Sequence, residues 1–352
     1  MDTVSLFAVL RMLLLVVLSF ALAMAWTPLL TFFLYHFHVG KRVRDTGETP
    51  VYSDLHRHKQ GTPTMGGLLV WITTLVVTIF FWGLAWWRPN LFGSLNFLTR
   101  AETWLPLGAL VAAALVGFVD DVLNVSGIGA KTGGLRVRHR LVLYAIIAAV
   151  GAWWFHYKLG WDSIHLPLFG DLTIGWWYVL VFFFILVATA FSVNEIDGLD
   201  GLAGGVLLII FAAYAVISFS QGKYDMAAFI TVLLGSLLAF LWFNIYPARF
   251  IMGDTGAMSL GVVLGVLAML TNTALLLPVF GFLLVIESAS VIVQVVSKKV
   301  FGRKVFISTP FHHHLEAGGW PEPKIVMRFW VITGVMTMLG LALFLIDRVV
   351  VW

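Results

Sequence analysis

The chain has 352 residues, of which 60% are apolar and only 11% charged, with a formal net charge of +4. A soluble globular domain carries about 25% charged residues to keep its surface wet, so this composition excludes an ordinary water-soluble fold and turns much of the surface toward lipid. Cysteine is absent, which excludes disulfides, thiolate chemistry and cysteine-based metal sites; the net charge by itself says little, and no nucleic-acid partner is expected.

Charge-free runs mark the elements in chain order. The first, 12–40, follows Arg11 and a start that holds Asp2 but no lysine or arginine before it. It is too long for the core of a secretory signal and lacks the positive lead, so it reads as a membrane span. Further runs cover 60–87, 103–119, 141–157, 172–194, 201–222 and 226–248. The next opens at 255, reaches 286 and continues past Glu287 to 297; its polar Thr271-Asn272-Thr273, with Pro278 beyond, divides it into two spans. The last covers 329–346. A helix needs about 20 residues to cross the hydrocarbon. The expectation is an all-α, polytopic integral membrane protein of about ten transmembrane helices, one catalytic domain over 1–352. Tryptophans at 86, 87, 153, 154, 176 and 177 read as interfacial anchors. No internal repeat stands out, which counts against an inverted-repeat transporter.

Charge then orients the bundle. Alternate loops near 38–64, 120–140, 194–201, 244–256 and 298–328 hold 16 of the 22 lysines and arginines. Positive loops stay inside, so these are expected in the cytoplasm and both termini on the extracytoplasmic side.

The polar chemistry collects in the same loops. Asp120 and Asp121 close Gly117-Phe-Val-Asp-Asp121; Asn194-Glu-Ile-Asp-Gly-Leu-Asp-Gly201 joins two spans; Met252-Gly-Asp-Thr-Gly256 opens another; His312, His313 and His314 follow Pro310. A carboxylate at a helix end is often only a cap, and Asp200 and Asp254 each allow that reading. Asp120 and Asp121 are harder to dismiss, because adjacent like charges at a membrane edge are costly without a cation. Carboxylates suit Mg²⁺, which keeps several waters and takes phosphate or pyrophosphate as a natural ligand. The three histidines cannot all point one way on regular structure; zinc, hydrogen bonds to phosphate and a structural role stay open. Lys59 with Thr62 or Thr64, in Lys59-Gln-Gly-Thr-Pro-Thr-Met-Gly-Gly67, is either an anion site or a positive-inside anchor before a turn. It lacks the Gly-Lys-Ser/Thr ending of a nucleotide-triphosphate loop, so an ATPase is not expected. Glu287, inside a span, is a functional suspect or a polar contact within the bundle.

These motifs, together with Phe243-Asn-Ile-Tyr-Pro-Ala248 and Thr309-Pro-Phe-His-His-His-Leu315, closely resemble the bacterial phospho-N-acetylmuramoyl-pentapeptide transferases of the polyprenyl-phosphate N-acetylhexosamine-1-phosphate transferase superfamily. The likeness runs the whole chain in order. The histidine triplet followed by Glu316, Gly319-Trp320 and Glu322-Pro-Lys-Ile-Val-Met-Arg-Phe-Trp330 favours this member over those that transfer N-acetylglucosamine phosphate. The resemblance implies a Mg²⁺-dependent enzyme of the bacterial cytoplasmic (inner) membrane, its site facing the cytoplasm. It would move phospho-N-acetylmuramoyl-pentapeptide from UDP to undecaprenyl phosphate, giving lipid I and UMP. It also implies a homodimer. Asp254 corresponds to the magnesium-binding aspartate, and Asp120 and Asp121 to the acidic pair near the lipid phosphate. Lys59, Asn194, Asp197, Gly198 and Asp200 match the positions lining the nucleotide and pyrophosphate region, and the histidine loop closes over the same cleft.

The chain departs from the family pattern in three places. Glu195-Ile196 stands where Leu-Thr is usual. Ile251 stands where an aromatic that stacks on uracil is common, with Phe250 one residue earlier as a candidate substitute. Asn124 replaces a lysine, leaving Lys131 or a nearby arginine to take its place. A related superfamily enzyme is the nearest rival; a transporter, which would gather its polar residues near mid-membrane, is the rival from another class.

Overall fold

A computed structural model describes residues 3–37, 39, 40, 59, 61–99, 102–129 and 134–351. The long helices are α1 (Thr3–His36), α2 (Leu68–Trp87), α3 (Trp104–Ser126), α4 (Val137–Trp153), α5 (Trp177–Ile196), α6 (Leu202–Ser220), α7 (Tyr224–Asn244), α8 (Gly253–Leu270), α9 (Phe282–Phe301) and α11 (Glu322–Val351). A short α10 (Phe311–Ala317) carries the three histidines. Among the described residues nine helices are long and apolar enough to span a membrane, or ten if the bent pair ending in α9 counts as one span. The expected helix count therefore stands, and the division at Thr271-Asn272-Thr273 falls where α8 ends.

Helices form here because lipid offers the backbone no hydrogen-bond partner, so each segment must satisfy its own amides. Buried threonines follow the same rule: Thr27, Thr31, Thr74 and Thr78 each donate to the carbonyl four residues earlier. Helix α8 lies at the centre, buried without a break from Thr255 to Leu270. Helices α1 and α11 lie outside and keep exposed apolar faces, with Leu14, Val17, Val331 and Met338 all open.

Two features depart from the expected all-α bundle of ten spans. Ser163–Leu166 and Gly170–Thr173 form an antiparallel hairpin, turned at Leu168 with φ 70°. The fifth span consequently starts at Trp177 and not at 172. Polar groups decide this: His165 holds Asp171 across the hairpin and Asp347 on α11, each at 2.6 Å. Burial opposes a charge on this imidazole, but the two carboxylate hydrogen bonds outweigh it and raise its pKa. The second feature is a bend of 85° between Ala274–Phe280 and Phe282–Phe301. Gly281 at the break has φ −96° and ψ 33°, outside helical geometry.

Asp120, Asp121, Asp197 and Asp254 lie at one end of the bundle and both described chain ends at the other. Arg11 pairs with Asp225 at the start of α7 at 2.9 Å, and Arg348 donates to the Ser220 carbonyl at the end of α6. Lys223 donates to the Leu270 carbonyl, and burial lowers its pKa.

Candidate active site

Helices α3, α4, α5 and α8 bring one cluster together. The approach of α3 to α8 depends on Gly117, since a Cβ there would lie 2.3 Å from the Asp254 carbonyl oxygen. That closeness lets Asp121 serve the start of α8: its two oxygens accept the Asp254 and Thr255 amides at 3.1 and 2.9 Å. Helix α8 has no side-chain cap of its own, so Asp121 supplies one from another helix. Asp120 is fully buried and accepts the Leu135 amide at 2.6 Å.

Arg140 answers the electrostatic question raised by the acidic pair. Its guanidinium lies 2.5 Å from Asp120 and 2.9 Å from Asp254, and donates to the Asn194 side-chain oxygen at 3.2 Å. Asn194 in turn donates to Asp254 at 2.6 Å. The planar fork of arginine suits such bridging, which a lysine point charge could not copy. A cavity of about 140 Å³ opens here, lined by Thr64, Asp121, Asn124, Arg140, Asn194, Asp197, Ile251 and Asp254 among others. A larger cavity of about 280 Å³ lies at the opposite end, around His165, Lys223 and Arg348, away from these acids.

Lys59 and Asp200 belong to a second network. Lys59 reaches Asp200 at 2.8 Å and Glu322 at 2.5 Å, and Glu322 also accepts the Asp200 amide at 2.5 Å. The other Asp200 oxygen accepts the Ala248 amide at 2.9 Å. Four segments are thus tied beside the cavity. Thr64 is buried and lines the cavity, whereas Thr62 sits on the turn after Lys59, its amide donating to the Lys59 carbonyl at 3.1 Å.

The histidines diverge, as their spacing required. His312 is fully buried, its Nδ1 3.0 Å from Glu287. His313 meets Glu316 at 2.7 Å. His314 accepts the Ile307 amide at 3.2 Å and stacks with Phe311. His312 lies directly against Gly198: a Cβ there would meet its Nε2 at 2.2 Å. The histidine helix therefore touches the 194–201 loop that also supplies Asn194 and Asp197 to the cavity.

Phe250 does not substitute for the missing aromatic. It is fully buried and packed against Phe240 and Phe243, while Ile251 lines the cavity. Of the candidate replacements near Asn124, Arg140 enters the site, Arg136 and Arg138 are exposed, and Lys131 lies outside the described residues. Residues 41–58 lie outside them too, with the His56-Arg57-His58 stretch. Sequence reasoning missed the bridging role of Arg140 and the place of Glu322. The signal for Arg140 was the unpaired charge of Asp120-Asp121, which demanded a cation.

No trio of histidine, cysteine, aspartate or glutamate able to hold a metal by itself occurs among the described residues. The zinc reading of the histidines therefore finds no support. Mg²⁺ asks for less, since one or two carboxylates with waters and substrate phosphate suffice. Asp254, 12% exposed at its side chain and on the wall of the cavity, with Asp197 beside it, fits that requirement.

The fold and this site define a polytopic membrane protein with an acidic, arginine-bridged cavity at one end of its bundle. Residues 103–272, which hold most of that cavity, match the family model described as glycosyl transferase family 4. Over nearly its full length the chain is similar to three proteins named phospho-N-acetylmuramoyl-pentapeptide-transferase. The one from Geobacillus sp. (strain WCH70) is 38% identical over 94% of this chain and 97% of that protein. Its counterpart in Geobacillus thermodenitrificans is 37% identical over 92% and 94%, and that of Moorella thermoacetica 40% over 93% and 96%. The chain belongs to the phospho-N-acetylmuramoyl-pentapeptide-transferase family, and is a multi-pass bacterial membrane protein.

Proposed function

We propose that this protein is a Mg²⁺-dependent phosphoglycosyl transferase. It moves phospho-N-acetylmuramoyl-pentapeptide from its UDP-linked donor to undecaprenyl phosphate, yielding lipid I and UMP. The observation that carries the reading is the convergence of Asp120, Asn194 and Asp254 on Arg140, with Asp121 on the wall of the same cavity. A site that joins two anionic substrates needs fixed positive charge and oriented donors. The cavity opens at the bundle end expected to face the cytoplasm of the inner membrane, where a soluble UDP-sugar is found.

Mg²⁺, held by Asp254 with Asp197 nearby, would neutralise the donor pyrophosphate and support the departing UMP. Arg140 holds Asp254 and Asn194 in place and adds positive potential beside the phosphates. Asp121 fixes the start of α8 and so the position of Asp254. Lys59, Asp200 and Glu322 clamp the loops around the cleft. Helix α10 brings His312 and its neighbours against the 194–201 loop.

Both oxygens of Asp121 are spent on α8 amides, while Asp120 accepts the Leu135 amide with one oxygen and is ion-paired through the other with Arg140. Carboxylates held so firmly suit positioning, which supports direct attack by the lipid phosphate over a covalent aspartyl intermediate. The test is UMP release by purified protein given each candidate UDP-sugar. Turnover only with UDP-N-acetylglucosamine would move the protein to the neighbouring branch of its superfamily. A homodimer, expected from the resemblance, is checked by the mass of the detergent-solubilised particle.

A further inference from the structure

The proposed chemistry gives no work to Glu287, a fully buried carboxylate on α9 among apolar helices. An acid is expensive in that setting unless it is paired and hydrogen-bonded. Among the described residues, the partners of its side chain all come from one residue. The carboxylate accepts the His312 amide at 3.2 and 3.3 Å and lies 3.0 Å from His312 Nδ1. The other ring nitrogen, Nε2, is buried with no hydrogen-bond partner among the described residues. It faces Gly198, where a Cβ would leave only 2.2 Å.

We infer that Glu287 is a positioning residue: it holds His312 with the proton on Nδ1 and presents Nε2 to the substrate bound at the 194–201 loop. A carboxylate 3.0 Å from Nδ1 accepts a hydrogen bond and cannot donate one once ionised. The hydrogen bond made by one ring nitrogen sets the role of the other. Nε2 is therefore the nitrogen left to meet a ligand. The second contact, from Glu287 to the backbone amide of the same residue, fixes the ring's root as well as its edge. Packing closes the arrangement. His312 meets His313 edge to face, ring centroids 4.1 Å apart, and Gly198 leaves the ring room that any side chain would fill. The cluster has the form of an oriented imidazole, with a carboxylate behind it and the 194–201 loop in front. Sequence places Glu287 and His312 twenty-five residues apart; α9, the bend back through 302–310 and α10 bring them into contact.

This inference rests on the proposed transferase reading, and the test separates the two. The full-length protein in detergent is labelled with [¹⁵N]histidine, and the His312 resonances are assigned by comparison with His312→Ala. Wild type should show Nδ1 protonated, and Glu287→Gln, whose amide can donate to that nitrogen, should lose this preference. In turnover of UDP-N-acetylmuramoyl-pentapeptide, Glu287→Gln should lower kcat by about 10- to 100-fold, the usual loss when such a supporting partner is removed. Donor KM should stay within about threefold. The double variant Glu287→Gln/His312→Ala should be no slower than His312→Ala alone, because both act through one ring. Multiplying losses in the double variant would overturn the inference, as would a wild-type His312 protonated on Nε2. Should Glu287→Gln fail to fold, the wild-type spectrum alone decides. If wild type gives no product from the donor, the transferase reading fails, while the spectra still support or overturn the Glu287–His312 pairing.

Discussion

Arg140→Met isolates the electrostatic design of the site. The Asp120 side chain is 0% exposed, Arg140 13% and Asp254 12%. Removing the guanidinium leaves the Asp120 carboxylate with the Leu135 amide as its donor and without its cation, while Asp254 keeps Asn194. Breaking a buried ion pair from one side costs about 3–5 kcal/mol. Because Asp254 retains a donor and some solvent, the lower end, about 3 kcal/mol, is expected for this site. Arg140→Lys keeps the charge but cannot bridge three partners, so a loss of about 1–2 kcal/mol is expected, as for hydrogen bonds lost to charged groups. The assay is equilibrium unfolding in mixed detergent micelles, run on both variants, on Asp120→Asn and on Asp120→Asn/Arg140→Met. The double variant removes both members of the pair and should recover about 1–3 kcal/mol relative to additivity. Strict additivity, or an Arg140→Met protein as stable as wild type, would refute the claim that Arg140 neutralises the buried Asp120.

The remaining expectations concern neighbouring parts. Asp121→Ala should lose about 1–3 kcal/mol by leaving the Asp254 and Thr255 amides unpaired, and should lower turnover by displacing Asp254; unchanged turnover would show that the cap does not place that residue. Gly198→Ala should abolish most activity at near-normal expression, since the new methyl occupies the space of His312 Nε2; the check is UMP release from protein of verified fold. His313→Ala should lose most activity, whereas a change in thermal stability alone would assign that residue to the loop's structure. The His165 pKa is raised in the folded protein, so its contribution should be fully present below the ordinary histidine value of about 6.5 and fade as pH rises through the raised value. Melting temperatures of wild type and His165→Gln should therefore converge toward alkaline pH, and a constant gap would contradict the assignment.

The spans were legible because lipid imposes a simple rule on composition, and the polar turn at Thr271 to Thr273 punctuated the longest apolar run correctly. The hairpin was not, because Ser163–Leu166 and Gly170–Thr173 are too short to show a period and depend on Asp347 nearly 180 residues away. The break at Gly281 was hidden for a related reason, since a glycine within an apolar run carries no sign of an 85° turn. In the site, Asp120, Asp121, Asn194 and Asp254 stood out as acids and amides at helix junctions. Asp121 then proved to cap another helix, a role that no local pattern announces. Phe250 illustrates the opposite failure: an aromatic beside the cavity in sequence turns into the core because α7 presents Phe240 and Phe243 to it.

The most direct test is a product assay on purified protein in detergent, with undecaprenyl phosphate and UDP-N-acetylmuramoyl-pentapeptide, with and without Mg²⁺, beside the Asp254→Asn variant. The account predicts Mg²⁺-dependent release of UMP with a matching lipid pyrophosphate product from wild type, and none from a folded Asp254→Asn protein. Turnover that is indifferent to Mg²⁺, or full activity in Asp254→Asn, would contradict it.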